Sequence, residues 1–185
     1  RNNMVSITDL TGFTGKFGVN LLQFPFFLKD MFQGIMHRRN ELKIFPGIAG
    51  LLADLHQEGY VLYIVSSNQQ QIITDILKNQ RLDQYFTGVA AVDFFGNKGN
   101  KLVELLESLR IAADQFLYIG DEVRDIKAAR KAGIPVISVS WGFNSAQLLL
   151  KHDPDALAEN LDELRGLLAL PYLSGSPGEH SANLP

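Results

Sequence analysis

The chain has 185 residues, 46% of them apolar and 20% charged, with a formal net charge of −3 and no cysteine. That length suits one domain with a small appendage and leaves room for a substantial core. The slightly negative charge gives no basic field to attract nucleic acid or anionic lipid, and the missing thiols exclude disulfides, thiolate chemistry and zinc–sulfur sites.

The longest apolar stretches, Leu21–Leu28 and Ala146–Leu150, fall far short of the ~20 residues that span a bilayer. No charged-then-apolar leader follows Arg1. With the slight negative charge and short apolar runs, neither a membrane nor a nucleic acid is expected as a partner, and the lack of cysteine fits a cytoplasmic protein. Because the first residue is Arg rather than Met, a fragment of a longer chain is one expectation. Nothing in the residues assigns an oligomeric state.

In residues 1–43, Val5 and Ile7 alternate with polar residues in the manner of a short strand, yet Ile7, Leu10, Phe13 and Phe17 fall at near-helical spacing. Leu21–Met36 is apolar and aromatic and runs into His37, Arg38 and Arg39. The segment reads as packed helices, with Phe24, Phe26, Phe27 and Phe32 as packing residues. Pro46-Gly47 opens a helix with apolar positions Ile48, Leu51, Leu52 and Leu55, which Gly59 ends. Tyr60–Val65 reads as a strand covered on both faces, broken by Ser66-Ser67-Asn68. A helix carrying Ile72, Ile73, Ile76 and Leu77 comes next, then a short strand over Val89–Val92 and a polar loop over Gly96–Asn100. After a helix with Leu102, Val103, Leu105, Leu106 and Leu109 comes a buried strand, Phe116–Ile119, ending in Gly120-Asp121. The next helix runs from about Val123 to Ala132 and stops at Gly133, and Pro135 leads into the strand Val136–Val139. Trp141-Gly142-Phe143 comes after it, and Asn144 or Ser145 can cap a helix through Leu150. From Pro171 the tail is rich in Pro, Gly and Ser and is expected to be disordered.

Strands that alternate with helices, at spacings too long for hairpins, predict an α/β domain with right-handed βαβ units and a parallel sheet. In such a sheet ligands bind outside the carboxyl ends of the strands. Asp121 and Asp125 stand there, four residues apart at a helix start and so on one face. Two close carboxylates repel unless a cation neutralises them, and oxygen ligands without sulfur point to Mg²⁺. Acidic capping of the helix is the plainer alternative. Ser66 and Ser67, between a strand end and free helix N–H groups, make an anion cradle or an ordinary cap. A Ser-His-Asp site is disfavoured, because His37, His56 and His152 do not follow strands and no G-x-S-x-G elbow exists. Lys98 and Lys101 precede a helix, where a lysine can reach a phosphate or simply sit in solvent.

Together these stretches resemble the haloacid dehalogenase superfamily of phosphatases, in its phosphoglycolate-phosphatase-like subgroup. FLYIGDEVRDIKAARKAGIPVISVSWGF, from Phe116 to Phe143, resembles the fourth motif of that family and the stretch after that motif. IVSSN, from Ile64 to Asn68, resembles the second motif, and Phe95–Lys98 the third, with Lys98 a better match than Lys101. Phe45-Pro46-Gly47-Ile48 resembles the entry into the core after a helical cap, and Asn144 through Leu164 the closing helices. The resemblance implies a three-layer Rossmann-like core over 44–170, a helical cap segment over 1–43 and a tail over 171–185. It implies a Mg²⁺-dependent phosphomonoester hydrolase acting on a small phosphorylated metabolite through an aspartyl-phosphate. Asp121 would ligate Mg²⁺, with Asp125 and Glu122 ligating it or orienting its waters. Ser66, with Ser67 and Asn68, would bind the phosphoryl group, and Lys98 would neutralise charge on phosphate and nucleophile.

One motif departs from the family pattern, D-x-D-x-T/V behind the first strand. Its nearest match is Asp9-Leu10-Thr11-Gly12-Phe13, in which Asp9 can stand for the nucleophile but Thr11 replaces the acid/base Asp and cannot transfer that proton at neutral pH. Either Val5–Thr8 is a first strand with a degenerate motif, or 1–43 is the cap and the nucleophile lies upstream of Arg1. The alternative function is an inactive phosphate-binding or regulatory domain of the same fold. A receiver-like phospho-acceptor domain fits the Gly120–Asp125 and Trp141–Phe143 patterns poorly.

Overall fold

The computed structural model describes residues 44–92 and 96–170. The expectations for the cap segment and its Asp9, for Phe95, and for the tail from 171 lie outside those residues. Within them the elements run α1 (Ile48–Gln57), β1 (Leu62–Ser66), α2 (Gln70–Asn79), a 3₁₀ turn (Asp83–Tyr85), β2 (Phe86–Ala91), α3 (Lys98–Leu109), a second 3₁₀ turn (Ala113–Gln115), β3 (Tyr118–Gly120), α4 (Val123–Ala132), β4 (Val136–Val139), α5 (Ala146–Leu150), β5 (Ala156–Ala158) and α6 (Leu161–Leu168). The α/β alternation is as the sequence predicts, and every strand pair is parallel.

Strand β1 pairs with β2, from Leu62 opposite Phe86 to Ser66 opposite Ala91. The order β3-β4-β5 makes a second sheet, in which Tyr118 faces Val136, Gly120 faces Ser138, and Ile137 faces Ala156. Alternation along β4 divides the core. Ile137 and Val139 pack with Leu51 and Leu55 of α1 and Leu164 and Leu168 of α6. On the other face Val136 joins Tyr118, Leu102 of α3, Ile126 and Ala129 of α4, and Leu149 of α5. Helices thus cover both faces of this sheet, which is the three-layer arrangement. A smaller cluster sets Ile73 and Leu77 of α2, with Leu82, against Ile64 and Val89.

Four expectations need correction. The polar loop expected over Gly96–Asn100 ends at Asn97, which caps α3, so Lys98 and Lys101 lie in the first turn of that helix and not before it. Strand β1 begins two residues later than Tyr60 and is half-buried along its whole length, not covered on both faces. Among the described residues it has a strand partner on one edge only, as does β3, where Ile119 stays 39% exposed. The second strand is Phe86–Ala91, earlier than Val89–Val92, because Phe86 and Gly88 pair with β1, with Thr87 bulged between them, in spite of the low apolar signal at Thr87 and Gly88. The stretch from Asn144 to Leu164, read as closing helices, also contains β5, whose three residues are too few to show a period.

Ile126 is fully buried between α3 and the β3–β4 strands. Ile126→Ala should cost about 2–5 kcal/mol through lost burial and the cavity left behind, seen as a lower urea midpoint with an unchanged denaturant slope.

Candidate phosphate and metal site

The end of β1, the first turn of α3 and the segments after β3 and β4 supply the candidate residues. Gly120 closes β3, and a Cβ there would lie 2.5 Å from Asp125 Cβ and 2.7 Å from Asp125 Oδ2. Only a glycine lets the first turn of α4 fold back so closely over the strand end. That turn buries Asp125 to 2% exposure. A carboxylate so placed must find donors, and Asp125 finds three. Its Oδ1 accepts from Lys98 Nζ at 2.6 Å and from the Tyr118 hydroxyl at 3.3 Å, while Oδ2 accepts the Glu122 backbone N–H at 3.1 Å.

Lys98 reaches this carboxylate from the first turn of α3. Asn97 caps that helix, its side chain accepting the Asn100 N–H at 3.1 Å, and Lys131 of α4 donates to Asn100 Oδ1 at 2.5 Å. The Lys98 side chain is 12% exposed, so one part of it still faces solvent. Lys101, the other lysine considered, forms a surface pair with Glu104 at 2.9 Å.

Asp121 is held from a different loop. Its Oδ2 accepts the Phe143 N–H at 2.6 Å, its carbonyl accepts the Asn144 N–H at 3.1 Å, and Asn144 Oδ1 in return accepts the Val123 N–H at 2.9 Å. A Cβ on Gly142 would run into the Asp121 side chain. The two candidate caps of α5 therefore divide their work. Ser145 caps the helix, accepting the Leu148 N–H at 3.4 Å, and Asn144 ties the loops together.

At the end of β1, Ser66 Oγ accepts the Asn68 N–H at 3.2 Å, which leaves its own proton to donate. Ser67 is half-buried and Asn68 exposed. Glu122 directs its carboxylate to Arg124. Burial works to lower the Arg124 pKa, but the hydrogen bond and charge of Glu122 outweigh it and the pKa is raised.

The three acidic residues singled out in the sequence are thus brought to one turn but face different partners, Asp121 the Phe143 backbone, Glu122 Arg124, and Asp125 Lys98. Among the described residues no three acidic or histidine side chains converge as a metal cluster. Mg²⁺ does not need three. It takes one or two carboxylates with waters and substrate oxygens, and the Phe143 N–H engages Asp121 through Oδ2. The donor set is all oxygen and fits a hard cation.

Sequence reasoning passed over Tyr118, Asn144 and the Phe143 N–H. Tyr118 carried a signal, as the one polar side-chain group within Phe116–Ile119. Burial first, and then the charge of Asp125, push the phenol pKa well above its ordinary value, so Tyr118 is a donor and not a base.

The family model for haloacid dehalogenase-like hydrolases matches residues 8–139. A phosphoglycolate phosphatase of Synechococcus elongatus is 38% identical over 123 residues, covering 66% of this chain and 58% of that protein. The phosphoglycolate phosphatase of Vibrio cholerae is 29% identical over 124 residues, 65% of this chain and 55% of its own length. The chain therefore spans between half and three fifths of these curated relatives. Among solved structures, a haloacid dehalogenase-like family hydrolase from Streptococcus pneumoniae superposes with a TM-score of 0.64 at 28% identity, over 69% of this chain and 61% of that one. A protein described as a predicted phosphatase, from Clostridium acetobutylicum, gives 0.65 at 30% identity over the same shares.

Removing one partner of the Lys98–Asp125 pair leaves a charge buried alone. Lys98→Met should destabilise the chain by about 3–5 kcal/mol, and Lys98→Met with Asp125→Leu should recover part of that loss, both measured by urea unfolding. Gly142→Ala should cost about 1–3 kcal/mol by displacing Asp121, read the same way.

Proposed function

The chain belongs to the haloacid dehalogenase-like hydrolases, and on that premise we propose that it forms the phosphate- and metal-binding part of a Mg²⁺-dependent phosphomonoester hydrolase acting on a small phosphorylated metabolite. The observation that carries this reading is the Lys98–Asp125 pair, 2.6 Å apart and nearly buried, set beside a loop that presents Asp121. A lysine fixed by a buried carboxylate is a placed positive charge, and placed charge is the main resource for phosphoryl transfer.

In this reading Asp121 holds the metal through its carboxylate, with Glu122 next to it. Bound Mg²⁺ would supply charge neutralisation at the phosphoryl oxygens. Ser66 donates its hydroxyl proton to one phosphoryl oxygen, and Ser67 and Asn68 line the same strand end. Lys98 donates to another phosphoryl oxygen while Asp125 keeps it ionised and aimed. The Phe143 and Asn144 backbone N–H groups fix Asp121 from behind, so its orientation does not depend on a substrate. The nucleophilic Asp that the family resemblance implies is not identified within 44–92 and 96–170, and Asp9 is one candidate among the readings above. The relatives named phosphoglycolate phosphatase make phosphoglycolate the first natural substrate to try.

A second reading, a phosphate-binding domain without turnover, is favoured by Thr11, which stands where the family motif carries its acid/base Asp. The two are separated by hydrolysis of p-nitrophenyl phosphate and phosphoglycolate with Mg²⁺. The hydrolase should turn over, lose its activity on chelation with EDTA, and drop by about 10²-fold or more in Asp121→Ala. Binding of inorganic phosphate without turnover, weakened by Ser66→Ala, would establish the second reading instead.

A further inference from the structure

Tyr118 lies on β3, buried to 7% exposure. Its hydroxyl sits 3.3 Å from Asp125 Oδ1 and 3.4 Å from the carbonyl oxygen of Val65. Both distances exceed the ~2.7–2.8 Å usual for O–H···O bonds, as befits one proton offered to two acceptors. The acceptors belong to different parts of the chain. Asp125 opens α4 beside the three-stranded sheet, whereas Val65 lies in β1 of the two-stranded sheet and immediately precedes Ser66. Among the described residues β1 and β3 do not pair through their backbones, so the phenol spans a boundary that no ladder crosses there.

We propose that Tyr118 is a positioning residue, whose hydroxyl holds Asp125, and through it Lys98, in register with the strand end that carries Ser66. Its part in turnover rests on the phosphatase reading; the bridge itself does not.

The decisive atom is Oδ1, which Tyr118 and Lys98 share. A phosphoryl group bound at the site competes with Asp125 for the Lys98 charge. At 2% exposure Asp125 has almost no water to take the place of that cation. The Tyr118 hydroxyl and the Glu122 N–H are the donors that stay with it. The phenol thus offsets the cost of sharing Lys98 with substrate, and its second acceptor ties that adjustment to the Ser66 end of β1. Tyr118 touches neither metal nor phosphate in this scheme and acts only through its neighbours.

Tyr118→Phe removes the hydroxyl and keeps the ring. With p-nitrophenyl phosphate, kcat should fall about tenfold and KM stay within about twofold, because the placed charge matters most in the transition state. In a Lys98→Arg background, where the aim of the cation is already changed, the same substitution should cost less than about twofold. Equal losses in both backgrounds, or wild-type kcat in Tyr118→Phe, would overturn the proposal. An activity-independent measurement accompanies this one. The wild-type chain should show a slowly exchanging phenolic hydroxyl proton by NMR, absent in Tyr118→Phe and shifted in Asp125→Asn. If the wild-type chain shows no turnover, the phosphatase reading alone fails, and a hydroxyl resonance indifferent to Asp125→Asn would then sink the bridge.

Discussion

A carboxylate at 2% exposure requires compensation, and Asp125 receives it from three separate places, the Lys98 ammonium at the start of α3, the Tyr118 phenol on β3, and the Glu122 N–H in its own turn. Each donor is delivered by a different element, so meeting this one need sets the relation among α3, β3 and α4. The close packing of α3 on α4, with Asn100 joined to Lys131, brings Lys98 to the carboxylate. Gly120 permits the approach by leaving empty the space that a side chain would fill. An unpaired charge at such depth costs several kcal/mol, which makes the arrangement an obligation of the fold as well as a feature of the site.

A second constraint runs through Asp121. It is oriented by the backbone of the loop after β4, through the Phe143 N–H, and that loop is tied back by Asn144 to the start of α4. The acidic turn is therefore clasped from two sides, from α3 by charge and from the β4 loop by backbone hydrogen bonds. Such fixing ahead of ligand binding is what electrostatic catalysis of phosphoryl transfer demands.

Much of this is legible in the chain itself. The helix Val123–Ala132 and the strand Val136–Val139 stand where periodicity and the Gly and Pro signals put them. Ser66, Asp121 and Asp125 stand out by their places at or just behind strand ends, and Lys98 by its place near a helix start, which the sequence put slightly later than the structure does. Less legible is the division of labour. Asp121 and Asp125 are alike in sequence, four residues apart on one face, yet one faces a backbone N–H and the other a lysine 27 residues away. Lys98 and Lys101 are likewise alike until α3 turns one inward to Asp125 and the other outward to Glu104. Strand β5 escapes notice because three residues carry no period, and Tyr118 because in a strand its ring reads as packing.

By itself the sequence determined the α/β alternation, the parallel sheet and the acidic turn at a strand end, because these come from local pattern, from β-rich runs, helical spacing and glycine breaks. It also excluded sulfur chemistry, since there is no cysteine to provide it. Only the tertiary structure decided which carboxylate pairs with Lys98, which backbone N–H groups hold Asp121, and that a phenol joins β3 to the end of β1. Those choices depend on contacts between residues 22 to 53 positions apart, and on which groups burial leaves without water, and neither is written in local order.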